Sequence, residues 1–335
     1  MMPKKDILRE EVEILKLAAR KRIENIMGKG KVISEVFDII EEYAHQDCPL
    51  LFEGETGVGK KEIITYLHSI SPRGKKELVT VDCGTIAESL IETELFGCKK
   101  GAYTDSKEDR TGKIEIANGS TLFLDEINSL SHAAQTKLLH LIQEKKITRV
   151  GDNKPIKVDV RIIAAGNESF KDLVKNKRFR RDLYERFTDK ITIPALRERK
   201  EDIDFFIDRF IEEKSNALGK KNVGIDDEAR NLLKNYKWEG NVRQLMNFIH
   251  KLVTRVKQNE ETQTCIIRSN FVKKCYLSEI QTDDEDIIYK DYTWKTAQIM
   301  AFKRALERAN GNDEKAIALL GISRGTYYKW KKELV

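Results

Sequence analysis

The stretch GETGVGKK, Gly54 to Lys61, lies between an apolar run, PLLFE, and a helix-like run, EIITYLH. GxxxxGK in a strand–loop–helix setting is the spacing of a phosphate-binding loop. The glycines allow turns tight enough for successive N–H groups to point at phosphate oxygens, assisted by the helix N-terminus. Gly54, Glu55, Thr56, Gly57, Val58, Gly59, Lys60, Lys61 and Glu62 are therefore the expected nucleotide-binding residues, with Lys60 reaching the β- and γ-phosphates. A Ser or Thr usually follows that lysine and touches magnesium. Lys61 stands there instead, so the metal has to be held elsewhere. A glycine turn without nucleotide is the plainer reading, and the setting disfavours it.

STLFLDEI, Ser120 to Ile127, supplies a partner element, an apolar strand ending in two carboxylates. Asp125 can hold magnesium directly or through water, and Glu126 can polarise an attacking water. An acidic pair capping the next helix is the alternative, and it loses weight beside a phosphate loop. VRIIAAGN ends in Asn167, a candidate for positioning the same water or a simple turn asparagine. FRRDLYERF carries Arg180, Arg181 and Arg186, which could stabilise transferred charge across a subunit interface or merely form a solvated basic face. NVRQ adds Arg243, able to reach the nucleotide from a helical domain.

These residues need a scaffold. From about 32 to 194, the short apolar runs PLLFEG, LVTVDC, STLFLDE and VRIIAAGN alternate with helical patterns such as SEVFDIIEEYA and HAAQTKLLHLIQE. That alternation predicts buried parallel strands in an α/β domain. From about 199 to 257 the pattern is helical throughout, and the acidic QTDDEDII at 281–288 reads as a linker to a basic helical tail. Ile7, Leu8, Val12 and Leu15 suggest a leading amphipathic helix. The expected order is thus an N-terminal amphipathic helix at 1–25, an α/β subdomain at 26–194, an α-helical subdomain at 195–262, a linker at 263–288 and a basic helical domain at 289–335.

The 335 residues are 40% apolar and 35% charged, with net charge +6, which suits a globular protein and permits a polyanionic partner. No apolar run approaches the ~18 residues that span a bilayer, and the start MMPKKDILREEVEILK has no signal-peptide core. Five cysteines without CxxC spacing read as reduced thiols, so a cytoplasmic location is expected.

The ordered motifs GETGVGKKE, ETELFGCKKGAYT, GSTLFLDEI, LLHLIQEKKITRVGDNKPIKVDVRIIAAGN, FRRDLYERF, IPALRERKEDI and WEGNVRQL carry a resemblance. From about residue 26 onward the chain resembles the AAA+ transcription activators that work on sigma-54 RNA polymerase, the bacterial enhancer-binding proteins. The resemblance implies an AAA+ α/β sheet with an α-helical lid, ATP and Mg2+ as cofactors, and a hexameric ring. Lys60 would bind phosphate, Asp125 magnesium, and Glu126 would activate water. Asn167 would be the sensor on the sheet, Arg180 and Arg186 the arginines acting across the ring interface, and Arg243 the sensor in the lid. The family normally has glutamate where Lys61 stands. Asp82 falls where an asparagine often holds the catalytic glutamate inactive, and an ionised aspartate cannot donate that hydrogen bond.

KGAYTDSK holds one aromatic on a charged loop. In the resembled family a GAFTGA motif tips a mobile loop that grips sigma-54 when ATP is engaged. Gly101, Ala102, Tyr103 and Thr104 follow it with Tyr for Phe, whereas Asp105 and Ser106 replace the final Gly-Ala. The loop therefore either grips sigma-54 or has been turned to another partner. In the tail, AIALL, Gly321 and the N-cap Ser323 outline a helix-turn-helix. Tyr327, Trp330 and Leu334 would pack the last helix, leaving Arg324, Thr326, Tyr328 and Lys329 to face double-stranded DNA. GISRGTYYKW is similar to the Fis-type helix-turn-helix that ends such activators. The two readings are an ATP-hydrolysing activator of sigma-54 polymerase and a DNA-binding AAA+ regulator acting on another protein. A helicase or clamp loader is disfavoured by the KGAYT insertion and the tail. The stretch before the ATPase region is too short for a receiver or ligand-sensing domain, so control is expected from a separate protein, from expression level or from the N-terminal helix itself.

Overall fold

A computed structural model describes residues 17–101, 108–257 and 264–275, and in the tail 309, 313–320, 324, 327, 328 and 331. The chain divides into two compact units, Met1–Ile267 and Arg268–Val335.

The first unit is built on a five-stranded sheet in the order β2-β3-β6-β1-β7, with every neighbouring pair parallel. The strands are β1 (Leu50–Glu53), β2 (Val79–Asp82), β3 (Thr121–Asp125), β6 (Arg161–Gly166) and β7 (Asp189–Thr192). Alternate strand residues point to opposite faces. Leu51, Leu122, Leu124 and Ile162 join one core with Ile91, Leu95 and Leu138. Phe52, Phe123 and Ile163 join the other with Phe37, Ile40 and Ile63. Both faces are covered, so β6 is buried along its whole length. Burying each such Leu, Ile or Phe contributes about 1.5–3 kcal/mol.

The flanking helices follow from their sequences. After a helical run α1 at 17–27 comes α2 (Lys31–Ala44), whose buried residues Ile33, Val36, Phe37, Ile40 and Ala44 lie on one helical stripe. Helix α3 (Lys60–Ser69) follows the phosphate loop. Helices α4 (Glu88–Phe96) and α5 (Lys113–Ile116) flank the KGAYT insertion. Helix α6 (His132–Glu144) starts at Ser131, whose hydroxyl accepts the Ala134 N–H. A two-stranded antiparallel ribbon follows, β4 (Lys146–Thr148) with β5 (Pro155–Lys157). Two short helices, α7 (Phe170–Lys175) and α8 (Arg181–Tyr184), lie between β6 and β7.

A strap through Leu196–Glu198 leads into the lid helices α9 (Glu201–Leu218), α10 (Asp227–Asn235) and α11 (Asn241–Arg255). Phe206 and Phe210 stack at 5.6 Å, and buried Trp238 donates its indole N–H to the Leu233 carbonyl at 2.7 Å. The lid is not purely helical. β8 (Val223–Ile225) pairs in parallel with β9 (Cys265–Ile267), so residues 265–267 belong to this unit and not to the expected linker at 263–288.

In the second unit, helix Asp313–Leu320 buries Ala316, and Tyr327 is fully buried with its hydroxyl donating to Asp313 at 2.7 Å. The inward role expected of Tyr327 matches that burial. The five cysteines form no disulfide. Among the described residues no helix is long and apolar enough to cross a membrane.

Candidate nucleotide site

In a parallel sheet the strand C-termini share one edge, and ligands sit outside it. The register sets Asp82 opposite Asp125 and Glu53 opposite Gly166, bringing the ends of β2, β3, β1 and β6 to that edge. The loop from Gly54 to Gly59 arches there into α3. Gly57 and Gly59 have φ of 81° and 103°, the left-handed region that favours glycine. A Cβ on Gly57 would lie 2.4 Å from the Gly240 carbonyl oxygen, leaving no room for a side chain, and one on Gly59 would lie 2.3 Å from Met27 Sδ and displace that side chain.

A cavity of about 390 Å³ lies over the loop, between the sheet edge and the lid. Thr56, Gly57, Val58, Gly59, Lys60, Lys61 and Glu62 line it from the loop and α3, facing Asp125 and Glu126 from β3 and Arg243 from α11. Asp82 also lines it. Ile26, Met27, Phe210, Val242 and Met246 make an apolar wall, with Arg209 beside them. Sequence reasoning had no local signal for that wall, because Phe210 and Met246 read as ordinary helix-core residues.

Charge in the cavity is concentrated and partly dehydrated. Lys60 Nζ donates to the carbonyls of Gly54 at 2.6 Å and Glu55 at 3.1 Å. Burial lowers its pKa, and Arg243 adds to this while Asp125 and Glu126 oppose it. Burial raises the Asp125 pKa, and the Asp82 charge adds to this. The Glu126 N–H and the ammonium groups of Lys60 and Lys61 oppose it. A cation between Asp125 and Asp82 would relieve that penalty. Among the described residues no group of three His, Cys, Asp or Glu side chains could hold a metal by itself. That donor set fits Mg2+, which binds through about one or two carboxylates and completes its shell with phosphates and water.

Glu126 has φ of 50°, a left-handed conformation that costs a non-glycine residue about 1–3 kcal/mol and gathers at functional sites. Its carboxylate packs against Gly84, where a Cβ would meet Oε2 at 1.9 Å, and Asp82 Oδ1 accepts the Gly84 N–H at 3.0 Å. The Glu126 carboxylate thus packs on the turn that Asp82 closes.

The other expected residues lie elsewhere. Gly54 and Glu55 do not line the cavity. The Glu55 carboxylate faces the strap and lid instead, accepting both terminal nitrogens of Arg197 at 2.5 and 2.8 Å and the Asn241 amide at 3.0 Å. Arg197 is the main cause of its pKa falling to about 2, with burial opposing and Asn241 assisting. Asn167 follows β6, is exposed, and accepts from the Asn128 amide at 3.4 Å. Arg180 bonds Asp182 and the Thr136 hydroxyl, with its backbone N–H on buried Gln135. With the Gln143 amide turned to offer its oxygen, Arg186 donates to it at 2.8 and 2.9 Å. Within this one chain neither arginine lines the cavity.

The stems of the KGAYT insertion cross at a braced neck. Cys98 and Arg110 exchange backbone hydrogen bonds at 3.0 and 2.9 Å, and Lys99 and Gly97 bond Val150 from the β4–β5 ribbon. Arg149 grips Glu115 at 2.7 and 2.8 Å. Gly101 ends the first stem; Ala102, Tyr103 and Thr104 lie outside the described residues. So do Thr326 and Lys329 in the tail, whereas Arg324 pairs with Glu314 and Tyr328 is 53% exposed.

A family model described as the sigma-54 interaction domain matches residues 26–193, and one described as the AAA+ ATPase lid domain matches residues 197–273. The chain is 37% identical over 307 residues to the transcriptional regulatory protein ZraR of Salmonella typhimurium, covering 90% of this chain and 67% of that protein. It is 35% identical over 316 residues to the phenol regulator MopR of Acinetobacter guillouiae, covering 92% of this chain and 56% of that one. The crystal structure of NtrX from Brucella abortus in complex with ATP matches at 26% identity with a TM-score of 0.66, covering 99% of this chain and 73% of that chain. The chain spans about half the length of several curated relatives, 56% of MopR and 45% of the Nif-specific regulatory protein of Herbaspirillum seropedicae. The sigma-54 interaction domain over residues 26–193, followed by an AAA+ lid over 197–273, shows that the chain belongs to the sigma-54 interaction family of AAA+ ATPases.

Proposed function

We propose that this protein hydrolyses ATP to drive the KGAYT loop against sigma-54 RNA polymerase, and that it binds double-stranded DNA through its C-terminal helices to activate transcription. The observation that carries the reading is the gathering of Lys60, Asp125, Glu126 and Arg243 on one cavity over the Gly57–Gly59 turn. Lys60 leaves its loop carbonyls for the β- and γ-phosphate oxygens. Glu126, held in its strained turn, orients the attacking water and accepts its proton. Asp125, with Asp82 beside it, would hold Mg2+, which would supply positive charge against the phosphates. The apolar wall of Ile26, Met27, Phe210 and Met246 suits a purine base, and Arg243 reports the phosphates to the lid.

Arg180 and Arg186, away from their own chain's cavity, are suited to complete a neighbour's site, which supports a hexameric ring. Asn167 would sense the γ-phosphate from the sheet. The braced neck, tied to the β4–β5 ribbon through Val150, supports transmission of hydrolysis to Gly101, Ala102, Tyr103 and Thr104. Arg324 and Tyr328, with Thr326 and Lys329, would read the major groove. A cytoplasmic protein fits the cysteines and the absence of a long apolar helix among the described residues. Asp105 and Ser106, in place of the Gly-Ala of the resembled motif, favour as a second reading a partner other than sigma-54.

The test is nucleotide binding and phosphate release by the full chain and by Glu126→Gln. Retained ATP binding with hydrolysis reduced about 10²–10⁴-fold is expected of a lost general base. Unchanged hydrolysis would remove Glu126 from the mechanism.

A further inference from the structure

We infer that Asn241 is a positioning residue for the phosphate loop, tying the Thr56 carbonyl to the lid and thereby setting the direction of the loop's N–H groups. This rests on the phosphate-loop reading of Gly54 to Lys61. Asn241 is the first residue of α11 and is fully buried. Its φ of 53° is left-handed, a conformation asparagine tolerates better than most residues. Its Oδ1 accepts the Leu196 N–H of the strap at 2.8 Å. Its Nδ2 donates to Thr56 O at 3.0 Å, Glu55 Oε2 at 3.0 Å and Glu239 O at 3.2 Å. One amide therefore joins the loop, the strap and the lid, and its partners fix which end is oxygen and which nitrogen.

The loop's carbonyls are tied off in turn. Lys60 holds those of Gly54 and Glu55, Asn241 holds that of Thr56, and buried Arg199 holds that of Val58 at 2.9 Å. In a trans peptide the C=O and the following N–H point in opposite directions. A carbonyl held by the lid thus turns the next N–H away from the lid residue that holds it. The N–H next to Thr56 belongs to Gly57, which lines the cavity. Asn241 and Arg199 come from outside the loop, both from the strap-and-lid segment. Lid position and the geometry of the phosphate site are then one variable, and Arg243, two residues along α11, moves with it. The bidentate Glu55–Arg197 pair backs the same joint from the strap.

Two variants separate positioning from folding. Asn241→Asp keeps the acceptor for Leu196 and removes both N–H donors, leaving a carboxylate against Glu55 and the Thr56 carbonyl. Asn241→Gly keeps the left-handed backbone and removes the side chain. Binding of ATP and of adenosine to the full chain is titrated by saturation-transfer NMR. Adenosine has no phosphates, so it reports the base end of the cavity alone. The expected result is ATP affinity lower by about tenfold or more in both variants, as for an unpaired carbonyl, with adenosine affinity unchanged. ATP affinity equal to that of the wild type would overturn the proposal. So would a parallel loss of ATP and adenosine, which would mark a structural role only. Failure of the wild-type chain to bind ATP would instead overturn the phosphate-loop reading, and this proposal with it.

Discussion

Arg186 gives the sharpest prediction, because its position in one chain dictates the outcome of mixing two. Its guanidinium rests on the Gln143 amide and does not line its own cavity, whereas Glu126 does. If Arg186 serves the next subunit, Glu126→Gln and Arg186→Ala damage different halves of each site. Each variant alone should be close to inactive, with losses of about 10²–10⁴-fold for a general base and about 10³–10⁵-fold for an arginine that stabilises transferred phosphoryl charge. In a randomly assembled one-to-one mixture, an intact site needs an Arg186→Ala chain in cis and a Glu126→Gln chain beside it. Each condition is met half the time, so about a quarter of the sites are whole in a closed ring. The assay is steady-state phosphate release at saturating ATP and fixed total protein. Recovery to about a quarter of the wild-type rate is expected for independent sites. Were Arg186 to act on its own chain, every site would lack one group and the mixture would stay at the level of its parents. That result would refute the reasoning. Arg186 is exposed, so its removal should leave folding intact.

Two further predictions concern the scaffold. Arg161, 3% exposed on β6, donates to the Tyr43 and Ala44 carbonyls at 2.8 and 3.1 Å, closing the end of α2, whose last turn has no basic residue of its own. Arg161→Met should cost about 1–3 kcal/mol, chiefly by stranding the Ala44 carbonyl, since the Tyr43 carbonyl keeps the Gln46 N–H at 3.1 Å. This is read as a lower urea midpoint, and an unchanged or higher midpoint would contradict it. Buried His68 places Nε2 on the Lys76 carbonyl at 2.8 Å, so that nitrogen carries the hydrogen, and Nδ1 accepts from the Thr121 hydroxyl at 3.0 Å. Burial lowers its pKa, so the unfolded chain takes up a proton near pH 6.5 while the folded chain resists. Its contribution to stability is full above about pH 6.5 and is lost as the pH falls below it. His68→Gln should therefore show a smaller drop in urea midpoint than the wild type between about pH 7.5 and 5.5.

What could be read from the sequence was what is coded locally. PLLFEG, STLFLDE and VRIIAAGN become β1, β3 and β6, because strands buried on both faces are continuously apolar, and LVTVDC becomes β2, an edge strand in which only Val81 is buried. β7, DKIT, escapes that signal. It is an edge strand paired only with β1, so half of it can be polar. The β4–β5 ribbon and the β8–β9 pair are three-residue strands, too short for a period of two to register. At the site, the cavity-facing roles of Lys60, Asp125, Glu126 and Arg243 were legible, since spacing within a loop or at a strand end dictates them. Glu55 was not: its spacing suggested the nucleotide, yet its partners Arg197 and Asn241 are 142 and 186 residues away in sequence. Asn241 and Arg199 escaped for the same reason, because what they hold becomes adjacent only when the lid folds back over the loop.

The central claim is that the energy of ATP reaches sigma-54 through Tyr103 and Thr104. The most direct measurement is capture of purified sigma-54 by the full chain in the presence of ADP and a metal fluoride that mimics the transferring phosphoryl group. The account predicts capture that depends on the nucleotide and is lost in Tyr103→Ala and in Thr104→Ala. Absence of capture by a chain that hydrolyses ATP and binds DNA would contradict it, and would assign the loop to another partner.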